Sequence, residues 1–175
     1  MTYIVRHATG GDVAAIEALL IASFPEAAEA SLVRRLCIDG DMVLTIVADD
    51  GDTGALAGMV AFSTMAVDIA GRAVPSVALA PIATGPAHRG YGVADMLIRT
   101  GLRNLADAGV VLCFVLGDQA FYGRHGFSAD WATGFASPYA GEHFMALPLQ
   151  GGAMPCGERG EAAHAPAFAA LGEAA

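Results

Sequence analysis

Residues 84–94 read Thr84-Gly85-Pro86-Ala87-His88-Arg89-Gly90-Tyr91-Gly92-Val93-Ala94, and a stretch of helical periodicity follows at once. Gly90 and Gly92 have no Cβ, so the chain can turn tightly there and bring its amides close to a ligand. The N–H groups of Gly90, Gly92, Val93 and Ala94 would converge at the positive end of the following helix, an arrangement that binds pyrophosphate. Neither common nucleotide fingerprint fits. The third glycine of GxGxxG is missing, and GxxxxGK[ST] is impossible in a chain without lysine. A phosphate-bearing cofactor other than NAD or ATP is expected, against the competing reading of these residues as a loop and helix cap.

A second group lies further on, Phe121-Tyr122-Gly123-Arg124-His125-Gly126-Phe127. Together the two segments carry a resemblance. Residues 89–94 match the [RQ]xxGx[GA] signature of the GCN5-related N-acetyltransferase (GNAT) family, and residues 121–127 match its later FYxxxGF segment. The stretch Leu116-Gly117-Asp118-Gln119-Ala120-Phe121-Tyr122 is similar to the LGDxxFYxxxGF pattern of a bacterial subgroup of predicted N-acetyltransferases. Where many members have Asn seven residues before the tyrosine, this chain has Val115.

The resemblance implies a mixed-sheet α/β acyl-CoA N-acyltransferase domain over residues 1–150. Acetyl-CoA would lie in a V-shaped opening between splayed parallel strands at residues 77–84 and 110–116. The backbone of Ile82, Ala83 and Thr84 would hold the pantetheine arm. The pyrophosphate would sit on Arg89, Gly90, Tyr91, Gly92, Val93 and Ala94, with Arg89 alternatively capping its own loop. Tyr122 would be the general acid that protonates the departing sulfur, since an ordinary phenol stays protonated at neutral pH; packing in the core beside Phe121 and Phe127 is its other reading. The strand at residues 77–84 holds no carboxylate or histidine, which leaves Glu29, Asp118, His143 or a chain of waters as the base, with Asp118 also placed to cap a helix. Acceptor contacts are expected from the second helix and from a loop with Trp131, Phe135, Pro138 and Tyr139, whose aromatic residues could equally cover the core. The implied reaction is direct acetyl transfer to a primary amine of a small molecule or peptide. A non-catalytic acyl-CoA-binding or regulatory module, or transfer of another acyl group, stays open.

The elements that must position these groups can be read from periodicity. A strand at residues 3–6 leads to a helix begun by Thr9 and Asp12, with Val13, Ile16, Leu19 and Leu20 on one face. A second helix from residue 27 carries Leu32, Leu36 and Ile38 and stops at Gly40. Three strands follow, at 42–48, 55–65 and 74–83, joined by short turns. Val93, Leu97, Ile98, Gly101, Leu102 and Leu105 recur at helical spacing over 93–108, and the apolar run 110–116 suits a buried parallel strand reached by a right-handed crossover. A short helix at 119–124 and strands at 126–128 and 143–149 complete the list. Residues 151–175, rich in Gly, Pro and Ala, are expected to be a disordered or loosely attached tail.

Composition narrows the function classes. Nine arginines and no lysine face 18 carboxylates for a net charge of −9, which disfavours nucleic acid and suits a cationic or amine-bearing partner. Although 55% of residues are hydrophobic, no apolar run approaches the length needed to span a bilayer, and residues 1–7 carry no secretory signal, so a soluble cytoplasmic protein is expected. Cys37, Cys113 and Cys156 and the five histidines show no metal-ligand spacing, so no metal is expected. The family contains monomers and dimers; a homodimer joined through the carboxy-terminal strand region is the preferred reading.

Overall fold

A computed structural model of the protein describes residues 1–174 and the side chains of residues 1–171. Its strands are β1 (Tyr3–His7), β2 (Met42–Asp50), β3 (Leu56–Ile69), β4 (Arg72–Ala73), β5 (Ser76–Thr84), β6 (Leu112–Leu116), β7 (Phe144–Pro148) and β8 (Arg159–His164). The helices are α1 (Val13–Ser23), α2 (Ala28–Asp39), α3 (Val93–Asp107), α4 (Gln119–Gly123), α5 (Ala129–Ala132) and α6 (Ala169–Ala174). The sheet order is β1-β2-β3-β5-β6-β7, with β4 and β8 pairing onto β3. Contacts divide the chain into two compact units, one of residues 1–62, 80–101 and those after 165, the other of residues 63–79 and 102–165.

In the first unit β1 runs antiparallel to β2, from Tyr3 opposite Asp50 to His7 opposite Ile46. The entry to α1 is set by Asp12, whose carboxylate accepts the Thr9 N–H at 2.7 Å and a two-pronged bond from Arg6 at 2.8 and 2.9 Å. Arg6 reaches Asp49 as well, with Nε 2.7 Å from its Oδ2. Hydrogen bonding to Arg6, then to the Thr9 amide, holds the Asp12 carboxyl well below the usual carboxylate range.

Ile16, Leu19, Leu20 and Ala30 of α1 and α2 pack on Val47, Met59, Ala61 and Ala83 of the strands. Gly58 and Phe62 of β3 meet α3 instead: a Cβ on Gly58 would lie 2.8 Å from Val93 Cγ1, and one on Gly101 would lie 2.6 Å from Phe62 Cζ. Successive side chains of a strand point to opposite faces, which is why the two helical layers draw on alternate positions. Gly101→Ala therefore overfills this contact. Helix propensity would favour Ala by ~1 kcal/mol, but pressing a methyl into the buried Phe62 ring costs ~1–3 kcal/mol, and a net loss of stability is expected in urea unfolding.

Two apolar residues depart from the expected core. Val13 and Ile38 are 62% and 69% exposed. Both border an apolar recess of about 510 Å³ between α1, α2 and the start of β2. Their spacing is helical, but among the described residues none closes the recess beside them.

In the second unit β6 pairs parallel with β5 and antiparallel with β7. Leu112, Phe114, Phe144 and Ala146 form the centre of its core, with the Phe114 ring stacked on Phe144 at 5.3 Å and edge-on to Phe135 at 5.4 Å. The expected strand at 126–128 reduces to a single bridge between Ser128 and Ala146. Ser128 then turns the chain into α5 by accepting the Asp130 N–H at 3.1 Å.

The segment 151–175 is not the unstructured tail expected. Residues 159–164 form β8, antiparallel to β3 with Met65 opposite His164 and Val67 opposite Ala162. Its hold comes from main-chain pairing and from small buried residues such as Ala162, which composition does not reveal. Residues 166–168 form a 3₁₀ turn with Phe168 buried, leading into α6. Ala175 lies outside the described residues.

Candidate active site

Within the first unit, β5 ends at Thr84, and a 3₁₀ turn at Pro86–His88 leads to Arg89. Gly90 and Gly92 have φ of +83° and +79°, the left-handed region that glycine enters without steric cost. No heavy atom lies within 4 Å of where a Cβ on either would sit, so the space beside both glycines is open. The first closing hydrogen bond of α3 runs from the Met96 N–H to the Gly92 carbonyl at 3.1 Å. The amides of Val93 and Ala94 precede it and have no partner inside the helix. Those donors and the helix dipole together favour an anion.

Arg89 bends back so that Nε lies 3.4 Å from the Thr84 carbonyl, a long bond that fits its reading as a loop cap. Neighbouring residues missed by the sequence reading brace the turn: Tyr3 on β1 meets His88 with its hydroxyl 3.2 Å from Nδ1, ring edge to ring face. Nothing local in sequence links residues 85 positions apart. Along β5, Ala83 is buried among α1 and α2, while Ile82 and Thr84 are half-buried.

Within the second unit, the parallel ladder between β5 and β6 covers Ser76↔Leu112, Val77↔Cys113 and Ala78↔Phe114. Beyond it β6 continues to Leu116 paired with β7, and β5 enters the stretch containing Pro81, which has no N–H to give a neighbouring strand. After β6, Asp118 Oδ1 accepts the N–H groups of Ala120 and Phe121 at 2.7 and 3.0 Å. That makes Asp118 the cap of α4, the structural reading of this residue.

Tyr122, one turn along α4, is buried. Its ring meets Phe121 and Phe127 edge-on at 4.9 and 5.9 Å, and its Cε2 lies 2.7 Å from where a Cβ on Gly117 would be. Burial first, then the nearby Cys113 thiol, pushes its pKa up to about 12. The phenol thus stays protonated throughout the neutral range. An unfolded tyrosine ionises near ~10, so Tyr122 adds stability that is whole below that value and lost as pH rises through about 12.

At Gly117, His143 Nδ1 lies 3.2 Å from the main-chain carbonyl, and the Gly117 N–H donates to the His143 carbonyl at 3.0 Å. His143 Nε2 is 3.4 Å from Glu142 Oε1. Of the loop aromatics expected to face an acceptor, Phe135 belongs to the core, with Arg159 over its ring, and Tyr139 packs edge-on against His164. Trp131 remains 38% exposed.

A GNAT-domain acetyltransferase family model matches residues 4–129. This chain belongs to the GNAT family. Among its relatives, the Escherichia coli K12 protein named uncharacterized N-acetyltransferase YhbS is 43% identical over 116 residues, 66% of this chain and 68% of that one. The crystal structure of Escherichia coli YhbS in complex with CoA matches with a TM-score of 0.86 and 32% identity, covering 95% of this chain and 92% of the other. A GNAT acetyltransferase from Brucella melitensis, solved with acetyl-CoA, matches with a TM-score of 0.76 and 29% identity over 95% and 98% of the two chains. The mixed α/β fold expected of a GNAT protein is therefore the fold found. Among the described residues no group of three or more His, Cys, Asp and Glu side chains is placed to hold a metal ion, and no helix is long and apolar enough to cross a membrane.

Proposed function

We propose that this GNAT protein transfers the acetyl group of acetyl-CoA to a primary amine of a small molecule or peptide. The turn ahead of α3 carries the reading: two glycines at positive φ, open space where their side chains would be, and helix-start amides without an intrahelical partner. That cradle suits a pyrophosphate, and solved relatives of similar fold hold CoA or acetyl-CoA. Arg89, Gly90, Tyr91, Gly92, Val93 and Ala94 would hold the pyrophosphate, with Ile82, Ala83 and Thr84 giving main-chain bonds to the pantetheine arm.

When bound, acetyl-CoA supplies an acyl carbon already activated as a thioester. Tyr122 is the proton donor to the departing sulfur. Its raised pKa keeps the proton on the phenol through the neutral range, so the donor is loaded when the C–S bond breaks. A thiolate is a good leaving group with a conjugate acid near ~8.5, so the donor's share sits at the low end of general-acid effects.

Acetyl-CoA binding by calorimetry, followed by amine-dependent release of free CoA, tests the whole reading. Binding without release on a broad amine panel would favour a non-catalytic acyl-CoA-binding module. For Tyr122→Phe, kcat is expected to fall by ~10²-fold while acetyl-CoA affinity is kept, because only the hydroxyl is removed. Full activity across pH 6–9 would remove Tyr122 from the chemistry.

A further inference from the structure

We propose that the outer face of α1 and α2 docks a second copy of this chain, in a two-fold dimer where Ile38 of each copy enters the recess of the other. All of this face lies within the first unit, and no step of the acetyl transfer proposed above depends on it. Two stripes build it. Val13, Glu17 and Ile21 follow at four-residue intervals along α1, as Arg34 and Ile38 do along α2, so each set shares one side of its helix. Arg34 Nη2 donates to Glu17 Oε1 and ties the stripes together. Val13, Ile21 and Ile38 are each more than half exposed. Single exposed apolar residues are ordinary, but Val13 and Ile38, joined by the exposed Val43 of β2, border one apolar recess of about 510 Å³ with Leu20, Val33 and Leu44 in its wall. Apolar surface gathered in this way marks an interaction site.

The charge on the face selects its occupant. At a net charge of −9 two copies repel each other at long range. Glu17 and Arg34, the carboxylate and guanidinium that line the recess, neutralise each other, and beside Ile38 the Arg35 Nε donates to Asp39 Oδ2 at 3.0 Å. The face is thus locally neutral. Repulsion between copies is weakest there, and a strongly charged partner gains little from it.

The face also carries both halves of a contact. Val13 and Ile38 project beside a hollow, and a two-fold interface requires such self-complementarity, since each residue meets its partner's counterpart twice. The recess falls within the ~300–1,000 Å³ that encloses a drug-sized ligand, so it has room for two aliphatic side chains. Helices of 11 and 12 residues, at about 1.5 Å per residue and about 10 Å across, present a footprint on the order of 350 Å². The accessible area of so corrugated a face exceeds its projection, which brings it to the low end of specific interfaces, about 600 Å² a side, where weak and reversible association is the rule.

Sedimentation equilibrium over micromolar to submillimolar protein, beside labelling of cysteines by N-ethylmaleimide, tests the dimer. Wild type is expected to associate reversibly across that range. Cys37 borders the recess and Cys156 lies in the loop ahead of β8, both exposed, so Cys37 should lose reactivity as the protein associates and Cys156 should keep it. Ile38→Glu enters the interface once from each copy and should weaken dimerisation by ~10²-fold or more. The side chain is exposed in the single chain, so the melting temperature of dilute protein and the acetyl-CoA affinity are expected to hold. Monomer throughout the range overturns the proposal. So does a dimer that survives Ile38→Glu, most directly one that protects Cys156, which would put the contact in the carboxy-terminal strand region. A monomer that takes up the dye anilinonaphthalene sulfonate, and loses that uptake in Ile38→Glu, overturns it in favour of a small apolar ligand.

Discussion

Gly92→Val is expected to raise the dissociation constant for acetyl-CoA by about a thousandfold or more while leaving a folded protein. Gly92 sits at φ +79°, and a Cβ there would meet no atom of the chain. The penalty is therefore conformational and directed at the ligand. Left-handed backbone costs an ordinary residue ~1–2 kcal/mol and a β-branched one more, so valine drives the turn towards negative φ. The helix-start amides then swing off the phosphate position, and each lost charge-assisted bond is worth ~1.5–3 kcal/mol. Two such bonds come to ~3–6 kcal/mol, which corresponds to about two to four orders of magnitude in affinity.

Gly109→Val supplies the control. Gly109 ends α3 at φ +87° with nothing within 4 Å of its Cβ position, so it carries the same backbone demand away from the turn. Calorimetry with acetyl-CoA and thermal melting on both variants separate the effects. Retained affinity in Gly92→Val, or equal loss in Gly109→Val, would refute the phosphate cradle.

A chain ending at Gln150 is expected to melt at least ~10 °C below the full chain, at ~2–4 °C per kcal/mol for a domain of this size. Truncation removes the ladder of β8 on β3 and strips cover from the buried Met65, Val67 and Ile69. It also removes the main-chain bonds from Ala70 N–H to the Glu158 carbonyl at 2.8 Å and from Ala136 N–H to the Gly160 carbonyl at 2.9 Å. Arg159, held by the Pro155 and Gly157 carbonyls at 2.8 and 2.7 Å, no longer covers Phe135. In the first unit the buried Phe168 is lost, which alone costs ~3–5 kcal/mol on the scale of Phe-to-Ala changes. Against a total stability of ~5–15 kcal/mol, these losses leave little margin. Melting temperatures within a few degrees of each other would mean that β8 and Phe168 contribute no more than a surface appendage.

What was legible in the sequence shares one property: it depends on near neighbours. The helical period of α3 and the apolar run of β6 are local patterns, and the glycine pair before Val93 prescribes its own positive φ. The capping bonds at Asp12 and Asp118 join residues two or three apart, so spacing offered both as caps, with Asp118 also open as a base. The two GNAT motifs were visible for the same reason.

Tertiary structure decided what depends on distant partners. Val13 and Ile38 have the periodicity of core residues, yet stay exposed because, among the described residues, none closes the recess beside them. Phe135 could face a ligand or cover the core on its sequence position alone, and its contacts with Phe114 and Arg159 place it in the core. The strand β8 has almost no apolar signal of its own. Its pairing energy resides in main-chain groups that every residue carries, so only the free edge of β3, about 90 positions earlier, reveals why it forms. Likewise the contacts of Gly117 with Tyr122, five residues on, and with His143, just ahead of another strand, depend on the fold, because the sequence cannot say which side chains meet at a glycine.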